Sequence, residues 1–321
     1  MKLHGLHHVT AVTSKAQANV DFYTRILGMR LVKKTVNQDD VSAYHLFYGD
    51  EVGNAGTELT FFEWAHMGPN VNGPGSIAHT ALRVTGHEAL EWWAQRLEEH
   101  GVLNNGVSEF HGHARLDFAD PEGQPLALID DGGAPGGTPW AKSPVPAEYG
   151  IRGLFASTLI VRQLETTGLV LTKVMGYEQV GDYPSTTTPG ERTVVFALDG
   201  GGAGKEIYVV EQPHKPYGQL GRGGVHHIAF RTPNGEEQID WMNWLHRVGL
   251  QTSGLVDRFY FQSLYFRIPD GILFEIATDG PGFATDEDAA HLGERLALPP
   301  FLEPRRTQIE AGLRPIELPV R

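Results

Sequence analysis

The sequence predicts an α+β protein of four strand-helix-strands modules grouped as two domains, and three observations carry that reading. A doubled histidine heads two similar strands, LHHVTAVT at residues 6–13 and VHHIAFRT at 225–232. Glycines recur at matched distances behind four strand anchors, the signature of an internal repeat. A Gly/Pro-rich stretch, GGAPGGTPWAKSPVPAEYG, then interrupts the pattern near the middle of the chain.

Taken in order, LHHVTAVT reads as the first strand, anchored at His8. SKAQANVDFYTRILGMRL reads as a helix: Ser14 is placed to cap it, Val20, Tyr23 and Leu27 share one face, and Gly28 ends it. Gly56 opens the last strand of the module, TELTFFE. In the second module SIAHTALRV shares an Ala-apolar-Arg ending with VHHIAFRT of the fourth, which aligns His79 with His227. Their helix-ending glycines, Gly101 and Gly249, each follow 22 residues later, and the strand-opening Gly123 and Gly271 another 22 after that. In the third module GLFASTLIV puts Ala156 where the first has His8. Gly176 and Gly204 then repeat the spacings of 20 and 28 set by Gly28 and Gly56. The anchors at 8, 79, 156 and 227 step by 71 within each half and by 148 between halves. Trp93 and Trp241 obey the same offset of 148 and read as core. The expected organisation is a domain at 1–132, a linker at 133–150, a domain at 151–280, and a helical or extended arm at 281–321.

Composition narrows the function classes. At 321 residues with 40% hydrophobic content the chain can build real cores. No apolar run approaches the roughly 20 residues of a membrane span, and the first residues lack a signal-peptide core, so the expected location is the cytoplasm. Zero cysteines exclude disulfides and thiolate chemistry, and leave His, Asp and Glu as the strong metal ligands. A net charge of -13 without basic clusters argues against nucleic acid or an anionic membrane as partner and points to a small molecule. A homo-oligomer is the default from the prevalence of symmetric assemblies.

Repeated modules permit position-by-position comparison. The first anchors are His8, His79, Ala156 and His227; the residues four beyond the strand-opening glycines are Thr60, Ala127, Tyr208 and Glu275. Only one carboxylate appears. Glu275 lies among apolar neighbours in LFEIA, where an ionised side chain needs a cation or hydrogen bonds. Pairing the first module with the fourth assembles His8, His227 and Glu275, with Thr60, a poor ligand, at the remaining corner; pairing the second with the fourth offers His79 instead. A 2-His-1-carboxylate set leaves coordination positions open and is associated with non-haem Fe(II) oxygenases, although the same hard donors accept Mn(II). His79 reads as structural, and His111, His113 and His214 as polar surface. Strand alternation sends His7 and His226 away from His8 and His227, as supporting groups or filler.

These stretches, with NVDFYTRILGMRLVKKTVNQDD, DRFYFQSLYFR and DGILFEIATDGPGF, together resemble the vicinal oxygen chelate superfamily, and more closely its hydroquinone ring-cleaving dioxygenase group (2,6-dichlorohydroquinone 1,2-dioxygenase-like). The resemblance implies paired βαβββ modules forming open, barrel-like sheets, and a ferrous ion between the first and fourth modules on His8, His227 and Glu275. It also implies supporting or substrate-contacting roles for His7, Thr10, His226, Arg258 and Tyr265. Tyr265 also reads as a core aromatic, and Arg258 as an ion-pair partner. The implied activity is extradiol-type cleavage of a hydroquinone or catechol by O2, with Tyr265 and one of His7 or His226 as hydrogen-bond donors or proton carriers. Two rivals share the fold: a glyoxalase-like lyase, which brings a second carboxylate to its metal, and a non-catalytic small-molecule binder.

Overall fold

The computed structural model describes residues 1–185 and 188–318, so the last three residues of the expected arm lie outside the described residues. Each quarter of the repeat folds as one strand, one helix and three strands. The first contains β1 (Leu6–Thr13), α1 (Ala16–Asp21, continued by a π-helical turn Phe22–Ile26), β2 (Arg30–Val36), β3 (Tyr44–Gly49) and β4 (Glu58–Glu63). The second contains β5 (Ser76–Val84), α2 (His87–Glu99), β6 (Asn104–Phe110), β7 (His113–Ala119) and β8 (Pro125–Asp130). The third contains β9 (Gly153–Val161), α3 (Leu164–Leu169, continued by a π-helical turn Val170–Val174), β10 (Glu178–Pro184), β11 (Arg192–Ala197) and β12 (Glu206–Glu211). The fourth contains β13 (Val225–Thr232), α4 (Gly235–Arg247), β14 (Thr252–Asp257), β15 (Phe261–Arg267) and β16 (Leu273–Pro281). Arm residues form short 3-10 turns and one helix, α5 (Arg306–Gly312).

The eight repeat glycines share a physical reason. Gly28, Gly56, Gly101, Gly123, Gly176, Gly204, Gly249 and Gly271 all have positive φ, which side chains with a Cβ rarely adopt. Helix α1 departs from expectation at its start. Ser14 does not cap it: its hydroxyl and its N–H bond Glu122, and the Ala16 N–H is met by Glu63 Oε1 at 3.2 Å. Carboxylates supplied by other elements satisfy these free donors better than a neutral hydroxyl, because the helix start carries partial positive charge.

The modules join crosswise. The strands of the first and fourth run β2-β3-β4-β1-β13-β16-β15-β14, and those of the second and third run β10-β11-β12-β9-β5-β8-β7-β6. A single register pair, Val225 with Ile77, links β13 to β5 and makes one mixed, open sheet of 16 strands. Residues 1–132 and 151–280 remain the two copies of the sequence repeat, yet each eight-strand half takes one module from either side of the linker. Helices cover the sheet, and the aligned tryptophans Trp93 and Trp241 are buried at 0% and 3% exposure. Linker residue Tyr149 stacks on Trp92 at 4.9 Å and accepts the Trp93 indole N–H at 2.8 Å. No helix is long and apolar enough to cross a membrane among the described residues.

Candidate metal centre

The doubled histidines sit where the ladder between β1 and β13 is broken. Leu6 pairs with Phe230 and Val9 with Ile228, so His7 and His8 together face one partner position. On the other strand, Thr10 pairs with His227 and Ala11 with Val225, which leaves His226 as the extra residue. Each pair thus occupies a β-bulge, and a bulge breaks strict alternation. The expectation that His7 and His226 point away from their neighbours is therefore corrected: His7 Nδ1 lies 3.0 Å from His8 Nδ1, and His226 Nδ1 lies 2.8 Å from His227 Nδ1.

Two neighbouring strands bring the carboxylate. Glu275 of β16 pairs in parallel with Ala229 of β13 and antiparallel with Tyr265 of β15. His8 Nε2 and His227 Nε2 lie 3.3 Å apart, and Glu275 Oε2 lies 3.2 Å from the first and 3.0 Å from the second. All three side chains are buried. Glu275 Oε1 accepts the Ser263 hydroxyl, whereas Oε2 has no hydrogen-bond partner and faces the two ring nitrogens. Donor atoms about 3 Å apart are spaced as neighbouring corners of a coordination sphere with bonds of about 2.1–2.3 Å. A divalent ion fits this donor set. The set contains no thiolate and a single carboxylate, as the 2-His-1-carboxylate pattern requires.

The second histidines fix the ligand rings. The Thr278 carbonyl, 3.1 Å away, can only accept, so His7 Nε2 donates to it. His7 Nδ1 stands against both His8 Nδ1 at 3.0 Å and Glu58 Oε2 at 3.2 Å, while His8 Nε2 faces Glu275 Oε2 at 3.2 Å. His226 Nδ1 stands 2.8 Å from His227 Nδ1 in the same way. Such outer partners orient a metal-binding imidazole and select its tautomer. Burial lowers the His227 pKa, and burial together with His227 lowers that of His226 to about 3, so both rings are neutral near pH 7. Burial opposes ionisation of Glu275, but the adjacent His8 and His227 outweigh it and hold the carboxyl well below its usual range. His7 differs: Glu58, 3.2 Å from its Nδ1, raises its pKa against the effect of burial. His7, His8 and Glu58 form the other cluster of ligand-type groups among the described residues, on the side of His8 away from the cavity.

A cavity opens over the His8 and His227 rings, walled by Phe47, Phe62, Tyr260 and Phe261. Tyr265 reaches it from β15, its ring edge-on to His227 at 5.7 Å; burial and Glu275 raise its pKa, so the phenol keeps its proton. The Arg258 guanidinium donates through Nε to the Tyr265 hydroxyl at 3.3 Å and lies over the ring at 5.4 Å. Thr10 is not part of the lining: it shares a 2.8 Å hydrogen bond with Thr60, the remaining corner of the repeat, and Thr60 in turn meets His45 Nε2 at 3.0 Å. His79 lies on the other half of the sheet, 3.2 Å from Asp117. His113 pairs there with Glu206, His111 with the Tyr183 hydroxyl, and His214 sits exposed in a turn.

His45, Asp39 and the aromatic wall escaped the sequence reading. His45 is half-buried among Phe47, Phe62 and Thr60, and desolvation lowers its pKa well below the ordinary value. A signal for part of this existed: in AYHLFYG, His45 and Phe47 alternate onto one face of a strand.

A family model, Glyoxalase/Bleomycin resistance protein/Dioxygenase superfamily, matches residues 5–128 and 155–276. The chain is 48% identical over 319 residues to "Putative ring-cleaving dioxygenase MhqA" of Bacillus subtilis (strain 168), covering 99% of this chain and 100% of that protein. It is 31% identical over 308 residues to a "Chlorohydroquinone/hydroquinone 1,2-dioxygenase" of Sphingobium indicum, covering 94% and 93%. A crystal structure of a "putative dioxygenase" from Bacillus subtilis superposes with a TM-score of 0.90 at 40% identity, covering 99% of this chain and 98% of that one.

Proposed function

Because this chain belongs to the Glyoxalase/Bleomycin resistance protein/Dioxygenase superfamily, we propose that it is a ring-cleaving dioxygenase that opens a hydroquinone or catechol with O2, using Fe(II) held by His8, His227 and Glu275. The single observation that carries this reading is the convergence of two imidazole Nε2 atoms and one carboxylate oxygen, 3.0–3.3 Å apart, beneath an aromatic-walled cavity. Relatives named as ring-cleaving dioxygenases, matched over nearly their whole length, support it. Ferrous iron bound there supplies a redox-active centre where a diol and O2 are brought together; Mn(II) suits the same donors.

The protein groups divide the remaining work. Phe47, Phe62 and Phe261 hold an aromatic ring by dispersion and quadrupole contacts and exclude water from it. Tyr265, protonated and in contact with Arg258, donates a hydrogen bond from its phenolic oxygen to negative charge developing on a ring oxygen. His45, neutral and close to both ligand histidines, accepts a diol proton at a ring nitrogen. His7 and His226 hold the ligand rings in the tautomer that presents Nε2.

Against the lyase, the only carboxylate at the four repeat positions is Glu275, and the corner where a second would stand carries Thr60, bound to Thr10 and His45. The test is oxygen uptake by protein reconstituted anaerobically with Fe(II), offered a panel of hydroquinones and catechols beside a Zn-loaded control. Uptake matched by ring-opened product is expected from the iron form alone. Iron-loaded protein that consumes no oxygen with any ring overturns the reading.

A further inference from the structure

Among the described residues lining the cavity, two side chains are formally charged, Asp39 and Arg258, and they are paired with each other. Asp39 lies in the loop between β2 and β3, and Arg258 in the turn between β14 and β15, 219 residues apart. Arg258 Nη1 and Nη2 each donate to one Asp39 carboxylate oxygen, at 3.1 and 2.9 Å, in a bidentate fork. A third N–H, on Nε, is on the Tyr265 hydroxyl. Both partners are held by their own backbones: the Asp39 N–H donates to Asn37 Oδ1 at 2.9 Å, the Arg258 N–H to the Phe261 carbonyl at 3.0 Å, and Gln38 Nε2 reaches across to the Arg258 carbonyl at 2.8 Å. The Asp39 side chain is 72% exposed. An ion pair that open contributes about 0–1 kcal/mol to stability, which leaves its position at the cavity as the feature to explain.

We propose that Asp39 is a specificity-determining residue that keeps aromatic diols bearing an ionised ring carboxylate out of this pocket, an inference that rests on the proposed ring-cleaving function. The chemistry is direct. A neutral diol meets a cancelled pair of charges and aromatic walls. A ring carboxylate meets the Asp39 charge and finds the Arg258 fork already occupied by Asp39, so its desolvation goes largely uncompensated. Removing the Asp39 charge exposes an arginine fork, shaped for a carboxylate, on the cavity wall.

The test is anaerobic calorimetric titration of the Fe(II)-loaded protein with hydroquinone and with 2,5-dihydroxybenzoate, which differ by one ionised carboxylate. Wild type, Asp39→Asn, Asp39→Ser and, as a control on the neighbouring exposed carboxylate, Asp40→Asn are compared. The ratio of the two Kd values is expected to fall by about tenfold or more in both Asp39 variants, through tighter binding of the carboxylated ring, and to stay at the wild-type value in Asp40→Asn. Asn retains a neutral hydrogen-bond acceptor and Ser does not reach, so agreement between the two isolates charge from geometry. An unchanged ratio in the Asp39 variants, an equal change in Asp40→Asn, or wild type binding both rings alike overturns the proposal. Iron-loaded wild type that binds neither ring overturns the ring-cleaving function itself, and this inference with it.

Discussion

At the scale of single residues, Glu275 concentrates the unusual chemistry. It is 0% exposed, anionic, and has one oxygen with no hydrogen-bond partner facing two imidazole nitrogens. Glu275→Gln keeps the shape and can retain the contact of Oε1 with Ser263, but it removes the negative charge an ion requires. Metal analysis of the purified variant is expected to show no bound iron and oxygen uptake no turnover, while circular dichroism is unchanged. An iron-loaded, active variant would remove Glu275 from the centre. His79→Ala is expected to keep its metal, because His79 is spent on Asp117 in the other half of the sheet. Asp120 offers a test by pH. Burial pushes its carboxyl up to about 6 in the folded protein, above the unfolded value of about 3.9. Between these two values the folded state binds more protons than the unfolded state, so stability falls as pH rises from about 4 to about 6 and stays lower above that. Asp120→Asn therefore gains little at pH 4 and up to about 2–3 kcal/mol at pH 7.5, a difference that denaturant titration at both pH values reads directly.

At the scale of elements, the glycines and the bulges do what side chains cannot. Gly28 ends α1 at φ +68, and a Cβ there would stand 2.3 Å from Ser143 Oγ and 2.6 Å from the Val145 side chain. Gly28→Ala combines a disfavoured conformation with a collision against the linker and is expected to cost about 1–3 kcal/mol, seen as a lower denaturation midpoint. The two bulges are equally specific. Each brings adjacent histidines to one position, the second facing Glu275 through Nε2 and the first standing against its Nδ1, which accounts for the pair being carried twice.

At the scale of the whole molecule, the C-terminal arm is fastened to the site. Lys33 of β2 is fully buried, bonds Asp286 at 2.7 Å and also Glu287, and lies 4.7 Å from the Tyr260 ring that walls the cavity. Tyr260 donates to Asp286 at 2.9 Å, and Phe283 packs on Phe47 at 5.0 Å. Lys33→Met removes the buried cation that Asp286 and Glu287 share, leaving Glu287 only the exposed Arg295 at 3.7 Å, and is expected to destabilise the protein by about 3–5 kcal/mol, with faster hydrogen exchange across residues 283–297. Exchange at the wild-type rate there would mean that the arm is held by its apolar contacts alone.

The sequence by itself determined the fourfold repeat, the helix and strand order, and the shortlist of His8, His227 and Glu275, because these are matters of spacing. A left-handed turn demands glycine, and a lone carboxylate in an apolar strand demands compensation, wherever the rest of the chain goes. Several features only the tertiary structure decided. Crosswise joining of the modules selected His8 over His79 as the partner of His227, since strand pairing is settled by packing between surfaces far apart in sequence. The bulges overrode alternation at His7 and His226. Glu122 engaged Ser14 and Glu63 took over the capping role expected of it, as a folded neighbour can outcompete a local cap. The Asp39 and Arg258 pair and the place of His45 beside both ligand-type histidines depend on loops and strands meeting across the cavity. Local spacing carries no information about such meetings, because their energy comes from contacts that exist only once the sheet has closed around them.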